Sequence, residues 1–296
     1  MVEPWRQAFM QHAFIEVVLV GVLGGWLGCW VLLYGVSYSA ESLSHGMFPG
    51  LVGASLLGLP LLAGGVVGAG AAAAGIASLG SARGIDRDTS VGVVVTSLFG
   101  LGALLALAPS SPPGIQELLF GDVLAVSDRD LLVTALIALP MLAVLWVLGA
   151  RLLAVGFDRS SARAIGIAPR PVELVVMLLV AAAVVVSVQA LGSLLVVAVL
   201  VAPAACARLL TRRLGPMVWV SAIVAVAGGV AGLYLSYYAG TAGGASIALC
   251  LVGAYVLALA ADVALRAYAG ASHRFMRLRG EPSCGSGRAS ARRLRG

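Results

Sequence analysis

Apolar residues in this chain run in blocks of about 20, separated by short gaps that hold almost all of the charge. About 20 apolar residues are needed for a helix to cross the hydrocarbon core of a bilayer. The blocks predict nine crossings, near 14–34, 41–59, 61–80, 91–109, 131–150, 172–188, 191–210, 216–238 and 245–267. Gly58-Leu59-Pro60 separates the second block from the third, and Pro112-Pro113-Gly114 marks an irregular connection after the fourth. The expected fold class is therefore all-α, a polytopic membrane protein. Composition agrees: 60% of residues are hydrophobic, 11% are charged and mean hydropathy is +1.03, more apolar surface than a soluble core of 296 residues can hide. The first block has a weak charged region before it and no small-residue cleavage site, so it reads as a retained helix rather than a cleaved signal.

Charge sets the orientation. With the N-terminus outside and nine alternating crossings, the inner segments hold Arg83 and Arg87, then Arg151, Arg159, Arg163 and Arg170. They also hold Arg208, Arg212 and Arg213 and the eight arginines from Arg266 to Arg295. Only Arg6 and Arg129 are left outside, as the positive-inside rule requires of an N-out, C-in chain. The net charge of +6 thus reflects membrane loops and a basic tail, and it does not point to nucleic acid. The chain reads as a transmembrane domain over 1–268 and an Arg-rich, cytoplasmic, disordered tail over 269–296, either touching anionic membrane lipid or simply solvated. There is no lysine, so the Gly-Lys-Ser/Thr of a Walker phosphate loop is excluded; any ATP hydrolysis has to come from another subunit. The four cysteines have neither metal-like spacing nor the pattern of a disulfide framework.

Candidate chemistry is sparse. Glu41 and His45 stand four apart, which stacks a carboxylate and an imidazole on one helical face. Such a pair is a start on a divalent-metal site, or else a helix-end cap beside an interfacial histidine. Glu16, Glu173 and Asp262 are the other carboxylates within the blocks, all near block ends, which is thin provision for an ion-coupled carrier. His-Glu-x-x-His is absent, and nothing else argues for catalysis by this chain. In the loop after the fifth block, Asp158 or Ser160 can cap a short helix that stops at Gly166. That helix would show Ala162, Ala164 and Ile165 to a partner, or the segment is a structured loop resting on the bilayer. Pro203 should kink or break the seventh helix, a feature that borders the substrate path in some transporters. Gly64 with Gly68, and Gly228 with Gly232, form small-xxx-small faces for close helix contact, and Tyr234, Tyr237 and Tyr238 mark a membrane interface.

Several of these segments, in order, resemble the zinc/manganese permeases of bacterial ABC importers. Ser42-Leu43-Ser44-His45 followed by Pro49-Gly50 is similar to that family's Asp-x-Leu-Ser-His-x-x-x-Pro-Gly signature, with Glu41 in place of the aspartate. Gly192-Ser193-Leu194-Leu195-Val196, running on to Ala202-Pro203-Ala204-Ala205, resembles its Gly-x-Leu-Leu-Val…Pro-Ala-Ala segment. Phe157-Asp158 with Ala164 to Gly166 resembles its cytoplasmic coupling region, and Gly232-Leu233-Tyr234-Leu235-Ser236-Tyr237-Tyr238 a late Gly-Leu-x-x-Ser-Tyr motif. The resemblance covers most of 10–268. It implies an ABC importer permease fold in the cell (inner) membrane, a homodimer with a central pathway, a cytoplasmic ABC ATPase subunit and an extracytoplasmic metal-binding protein. It also implies a divalent metal as transported substrate rather than a resident cofactor, with zinc favoured over manganese or iron, and a chelated metal or small organic nutrient as the alternative. Glu41 and His45 would form a transient pathway site. Asp158, Arg159, Ala162, Arg163, Ala164, Ile165 and Gly166 would meet the ATPase, and Pro203 would mark a break in a pathway helix. One departure bears on coordination: the family tends to carry an aspartate after the Ser-Tyr-Tyr motif, and Ala239-Gly240-Thr241-Ala242-Gly243-Gly244 has no carboxylate.

Overall fold

A computed structural model describes residues 8–80, 87–108, 119, 121–193 and 195–279. Its helices are α1 (Ala8–Tyr34), α2 (Ser37–Gly46), α3 (Phe48–Leu57), α4 (Leu61–Gly80), α5 (Arg87–Ala106), α6 (Asp128–Phe157), α7 (Arg159–Ala164), α8 (Pro169–Leu191), α9 (Val196–Leu210), α10 (Leu214–Ala239) and α11 (Gly243–Arg279). No strand occurs among the described residues, and the chain is an all-helical, multi-pass membrane protein. Among the described residues seven helices are long and apolar enough to cross a bilayer: α1, α4, α5, α6, α8, α10 and α11.

Two expected crossings take another form. The block 41–59 is not one helix but α2 followed by α3, each of ten residues. Pro49 is the cause: it offers no N–H to the His45 carbonyl and its ring crowds that carbonyl, so the helix restarts, with Met47 at the junction and Pro49 in the first turn of α3. The block 191–210 keeps only the fifteen residues of α9, because Gly192 adopts a positive φ of 75° and interrupts the chain before it. The last helix also differs from expectation, since α11 continues to Arg279, eleven residues into the segment read as a tail. Arg83, Pro112-Pro113-Gly114, Cys284 and residues 280–296 lie outside the described residues.

The core forms around α1, whose Leu23, Leu27, Trp30 and Val31 are buried against Leu145 and Leu152 of α6, Val180 and Val184 of α8 and Leu200 of α9. Lipid is as apolar as these side chains, so cohesion comes from close packing and from polar bonds between helices. Both small-residue faces pack as their spacing predicts. Gly64 and Gly68 lie directly against α3, and a Cβ at Gly68 would stand 2.5 Å from the Met47 carbonyl oxygen. Gly228 and Gly232 lie against Leu251 and Ile247 of α11. Interhelical hydrogen bonds run from Ser221 to the Gly25 carbonyl (2.6 Å), from Thr134 to Glu16 (2.9 Å) and from Tyr34 to the Leu152 carbonyl (2.9 Å). Each such bond contributes about 0.6 kcal/mol and rarely more than about 1.7. Tyr237 and Tyr238 cross edge-on at 5.3 Å at the end of α10, where Gly240 closes the helix in the left-handed region.

Candidate functional site

The site is built on α2. Ala40, Ser42, Ser44 and Gly46 turn into the protein, which leaves Glu41 and His45 together on the flank of the helix. His45 Nε2 lies 3.9 Å from Glu41 Oε1; the imidazole is 22% exposed and the carboxylate 52%. Phe99 of α5 meets the imidazole edge-on at 5.8 Å and stacks on Phe48 at 5.4 Å, so an aromatic wall fixes one side of the ring. His45 Nδ1 is enclosed without a hydrogen-bond partner. A tetrahedral ion with ligand bonds of about 2.0–2.2 Å would bring the two donor atoms to about 3.4 Å, a small side-chain rotation from the observed separation. Among the described residues no group of three or more His, Cys, Asp or Glu converges, so this chain offers an ion two donors here and not a closed cage.

The break that Pro49 imposes comes two residues after His45, at Met47. A second break lies beside it: the Ser44 hydroxyl donates to the Ser193 carbonyl, joining α2 to the Gly192–Leu195 interruption before α9. A side chain at Gly192 would run into the Leu119 carbonyl and the Gly121 amide, and its positive φ already disfavours any other residue. Pro203, by contrast, sits inside the unbroken α9. The interruption of the chain in this region is at Gly192, eleven residues earlier. Proline's missing N–H leaves the Val199 carbonyl free, and Gly24 of α1 lies against it, a Cβ there falling 3.2 Å from that oxygen. The absent side chain at Gly24 thus lets α1 cover the unpaired carbonyl.

The other carboxylates have local partners. Asp262 pairs with Arg266 at 2.9 Å. Glu173 Oε1 lies 2.7 Å from Arg159 Nε, a charge contact without the alignment of a hydrogen bond. Glu16, near the start of the first block, is buried (2% exposed), with one oxygen held by Thr134 and the other, Oε2, without a partner. It lines a cavity of about 10 Å³ with Leu191, Val199 and Ile247, the room of one water. The only signal for this in the sequence is a lone acid two residues inside an apolar block. The Ala239–Gly244 stretch carries neutral oxygens in place of a carboxylate: Ser236 donates to the Thr241 carbonyl (2.6 Å), and the Thr241 and Ser246 hydroxyls bond each other at 2.7 Å.

The short helix after α6 forms as its residues predict. Asp158 caps it, Oδ1 accepting from the Ser160 amide (2.9 Å) and hydroxyl (2.7 Å), and Oδ2 from the Ser161 amide (3.3 Å) and hydroxyl (2.5 Å). The Ser161 and Ser160 hydroxyls, with the Ser160 amide, hold the Asp158 carboxyl well below the usual carboxylate range. Gly166 turns left-handed at φ 82° and ends the segment, and Ile167 N–H returns to the Ala162 carbonyl at 2.9 Å. Arg159, Arg163, Ala164 and Ile165 are exposed, and Phe157 beside them is 83% exposed. Ala162 is not presented with them: at 1% exposure it is the residue on which the helix rests.

Comparison with known proteins agrees with this architecture. The sequence profile described as the ABC 3 transport family matches residues 6–262. A "Probable iron transport system membrane protein" of Haemophilus influenzae is 31% identical over 260 residues, covering 88% of this chain and 96% of that protein. The "Manganese transport system membrane protein MntC" of Halalkalibacterium halodurans is 34% identical over 252 residues, 85% of this chain and 86% of the relative. Among solved structures, PsaBC from Streptococcus pneumoniae in complex with Fab superposes with a TM-score of 0.80 at 30% identity, covering 86% of this chain and 92% of that one. A broken helix bearing Glu41 and His45, a capped exposed helix after α6 and a profile match over nearly the whole apolar region thus lead to one conclusion: the chain belongs to the ABC 3 transport family, as a metal ABC importer permease.

Proposed function

We propose that this chain is the permease subunit of an ATP-driven importer of a divalent transition metal, with Glu41 and His45 as a transient station on the pathway. The observation that carries the reading is the position of the pair: a carboxylate and an imidazole with a free ring nitrogen, on a helix that breaks two residues later. Discontinuous helices in transporters border substrate paths because their freed backbone groups need polar company. Two donors bind weakly, and conduction needs release as well as capture.

Manganese or iron is the proposed cargo. A carboxylate with an imidazole suits either ion, as it suits zinc, and relatives named for manganese and for iron move the choice away from zinc. The chain is proposed to sit N-out and C-in with nine crossings, the joined α2–α3 and the short α9 adding to the seven long helices. This arrangement puts α7 in the cytoplasm, where its exposed Arg163, Ala164 and Ile165 meet an ATPase subunit. A homodimer would bring a second Glu41–His45 pair to a central pathway and raise the donor count to four. A soluble metal-binding protein would deliver the ion from outside.

The test is uptake of manganese, ferrous iron and zinc into proteoliposomes holding the chain with its ATPase, with and without ATP. ATP-dependent entry of manganese or iron ahead of zinc is the expected result. Entry driven by an ion gradient without ATP would make the protein a secondary carrier instead, and entry of none of the three metals would remove the metal reading.

A further inference from the structure

Tyr34, Gly156 and the Arg159–Glu173 pair have no role in the pathway, yet they meet at one end of the bundle where α1, α6, α7 and α8 converge. The Tyr34 hydroxyl donates to the Leu152 carbonyl at 2.9 Å, one turn before α6 ends. Gly156 is the place where α6 lets the end of α1 in: a Cβ there would stand 2.8 Å from Leu33 Cδ2 and 3.1 Å from Tyr34 Cε2. Two residues later Asp158 clamps the start of α7 through its four hydrogen bonds. Arg159 then ties α7 to Glu173 of α8, and both charges lie within electrostatic range of Tyr34.

On its other side Tyr34 leads straight into α2. Gly35 takes the left-handed region at φ 66°, and Val36 N–H returns to the Val31 carbonyl at 3.0 Å. This closes α1 in a Schellman turn. Ala40 N–H then bonds the Val36 carbonyl at 3.0 Å, so the first turn of α2 is anchored on the same two-residue link. The connection has no slack.

We propose that Tyr34 is a coupling residue: its bond to the Leu152 carbonyl links the short helix α7 mechanically to α2 and so to the Glu41–His45 pair. The inference rests on the permease reading, in which α7 receives force from an ATPase. The Tyr34 hydroxyl is committed to a backbone carbonyl, so the residue acts by positioning.

The experiment measures ATP hydrolysed per manganese ion entering proteoliposomes that contain the whole complex, for the unaltered chain, Tyr34→Phe, Gly156→Ala and Tyr238→Phe. Tyr34→Phe removes one hydroxyl and keeps the ring, and it should preserve the hydrolysis rate while raising the ATP spent per ion about threefold, the population shift expected from losing one such interhelical hydrogen bond. Gly156→Ala crowds Leu33 and, beside it, the Tyr34 ring, and should move the ratio in the same direction. Tyr238→Phe, at a 65% exposed tyrosine away from this junction, should leave the ratio alone. An unchanged ratio in Tyr34→Phe, or hydrolysis and entry falling together with thermal stability, overturns the proposal. Should Tyr34→Phe fail to fold, an unchanged ratio in Gly156→Ala overturns it equally. Absence of ATP-driven entry in the unaltered complex is a different failure, since it removes the permease reading itself.

Discussion

Substituting Gly68 should disturb the metal station from a distance, and the size of the effect follows from one contact. A Cβ on Gly68 would lie 2.5 Å from the Met47 carbonyl oxygen, 2.7 Å from its Cα and 3.0 Å from its carbonyl carbon. Ordinary carbon–oxygen approach in packed helices is about 3.3–3.6 Å, so α3 and α4 have to part by roughly 1 Å. The obstruction is backbone and cannot rotate away. Overpacking of this kind costs about 1–3 kcal/mol. Met47 is also the junction of α2 and α3, two residues from His45, so the movement displaces the ring that faces Phe99. Gly70 of the same helix is the matched control: nothing lies within 4 Å of a Cβ there. In that position alanine should be neutral or stabilise by about 0.5–1 kcal/mol through helix propensity. Thermal unfolding of the purified protein in detergent, followed by manganese uptake in proteoliposomes, separates the two effects. Gly68→Ala should lower the midpoint and reduce uptake, whereas Gly70→Ala does neither. Equal behaviour of the two variants would refute the claim that this seam sets the position of the site.

Thr134→Ala should destabilise by about 1–3 kcal/mol, because it strips the remaining partner from the buried Glu16 carboxyl, while Thr134→Ser restores most of the loss; thermal midpoints of both variants check this. The cap of α7 should be insensitive to pH over the physiological range. Asp158 is depressed in the folded state, so its contribution is complete above the ordinary aspartate value of about 3.9 and disappears only as pH falls further, through the folded value. Amide exchange in α7 tests this: protection should stay flat from about pH 8 to 5, and a steep loss within that window would contradict the sign. Ser44→Ala, which cuts the tie from α2 to the Ser193 carbonyl, should slow uptake more than it lowers the thermal midpoint.

The helical class, the membrane and the capped helix after α6 are legible in the sequence because each rests on a local rule: apolar length, Asp158 before two serines, Gly166 at the stop. The two glycine seams are legible for the same reason. What escapes is set by tertiary context. Pro49 and Pro203 look alike in sequence, yet one restarts a helix and the other sits inside one, with Gly24 beside the carbonyl that Pro203 leaves free. Gly192 gives no apolar-pattern signal, and only the approach of Leu119 and Gly121 explains it. Glu16 reads as a stray acid near an interface until Thr134, 118 positions away in sequence, is brought to it. Ala162 reads as a presented residue because a six-residue helix is too short for its own pattern to say which face is covered. Of the site itself, the Glu41–His45 spacing is legible, and the aromatic wall of Phe99 is not.

The central claim is that Glu41 and His45 handle the transported ion, and the most direct measurement is ATP-driven manganese uptake by the reconstituted complex with Glu41→Ala and His45→Ala, each checked for an unchanged thermal midpoint. The account predicts that both variants stay folded and lose most of their uptake. Uptake at the unaltered rate in either variant would place the ion's path elsewhere in the protein.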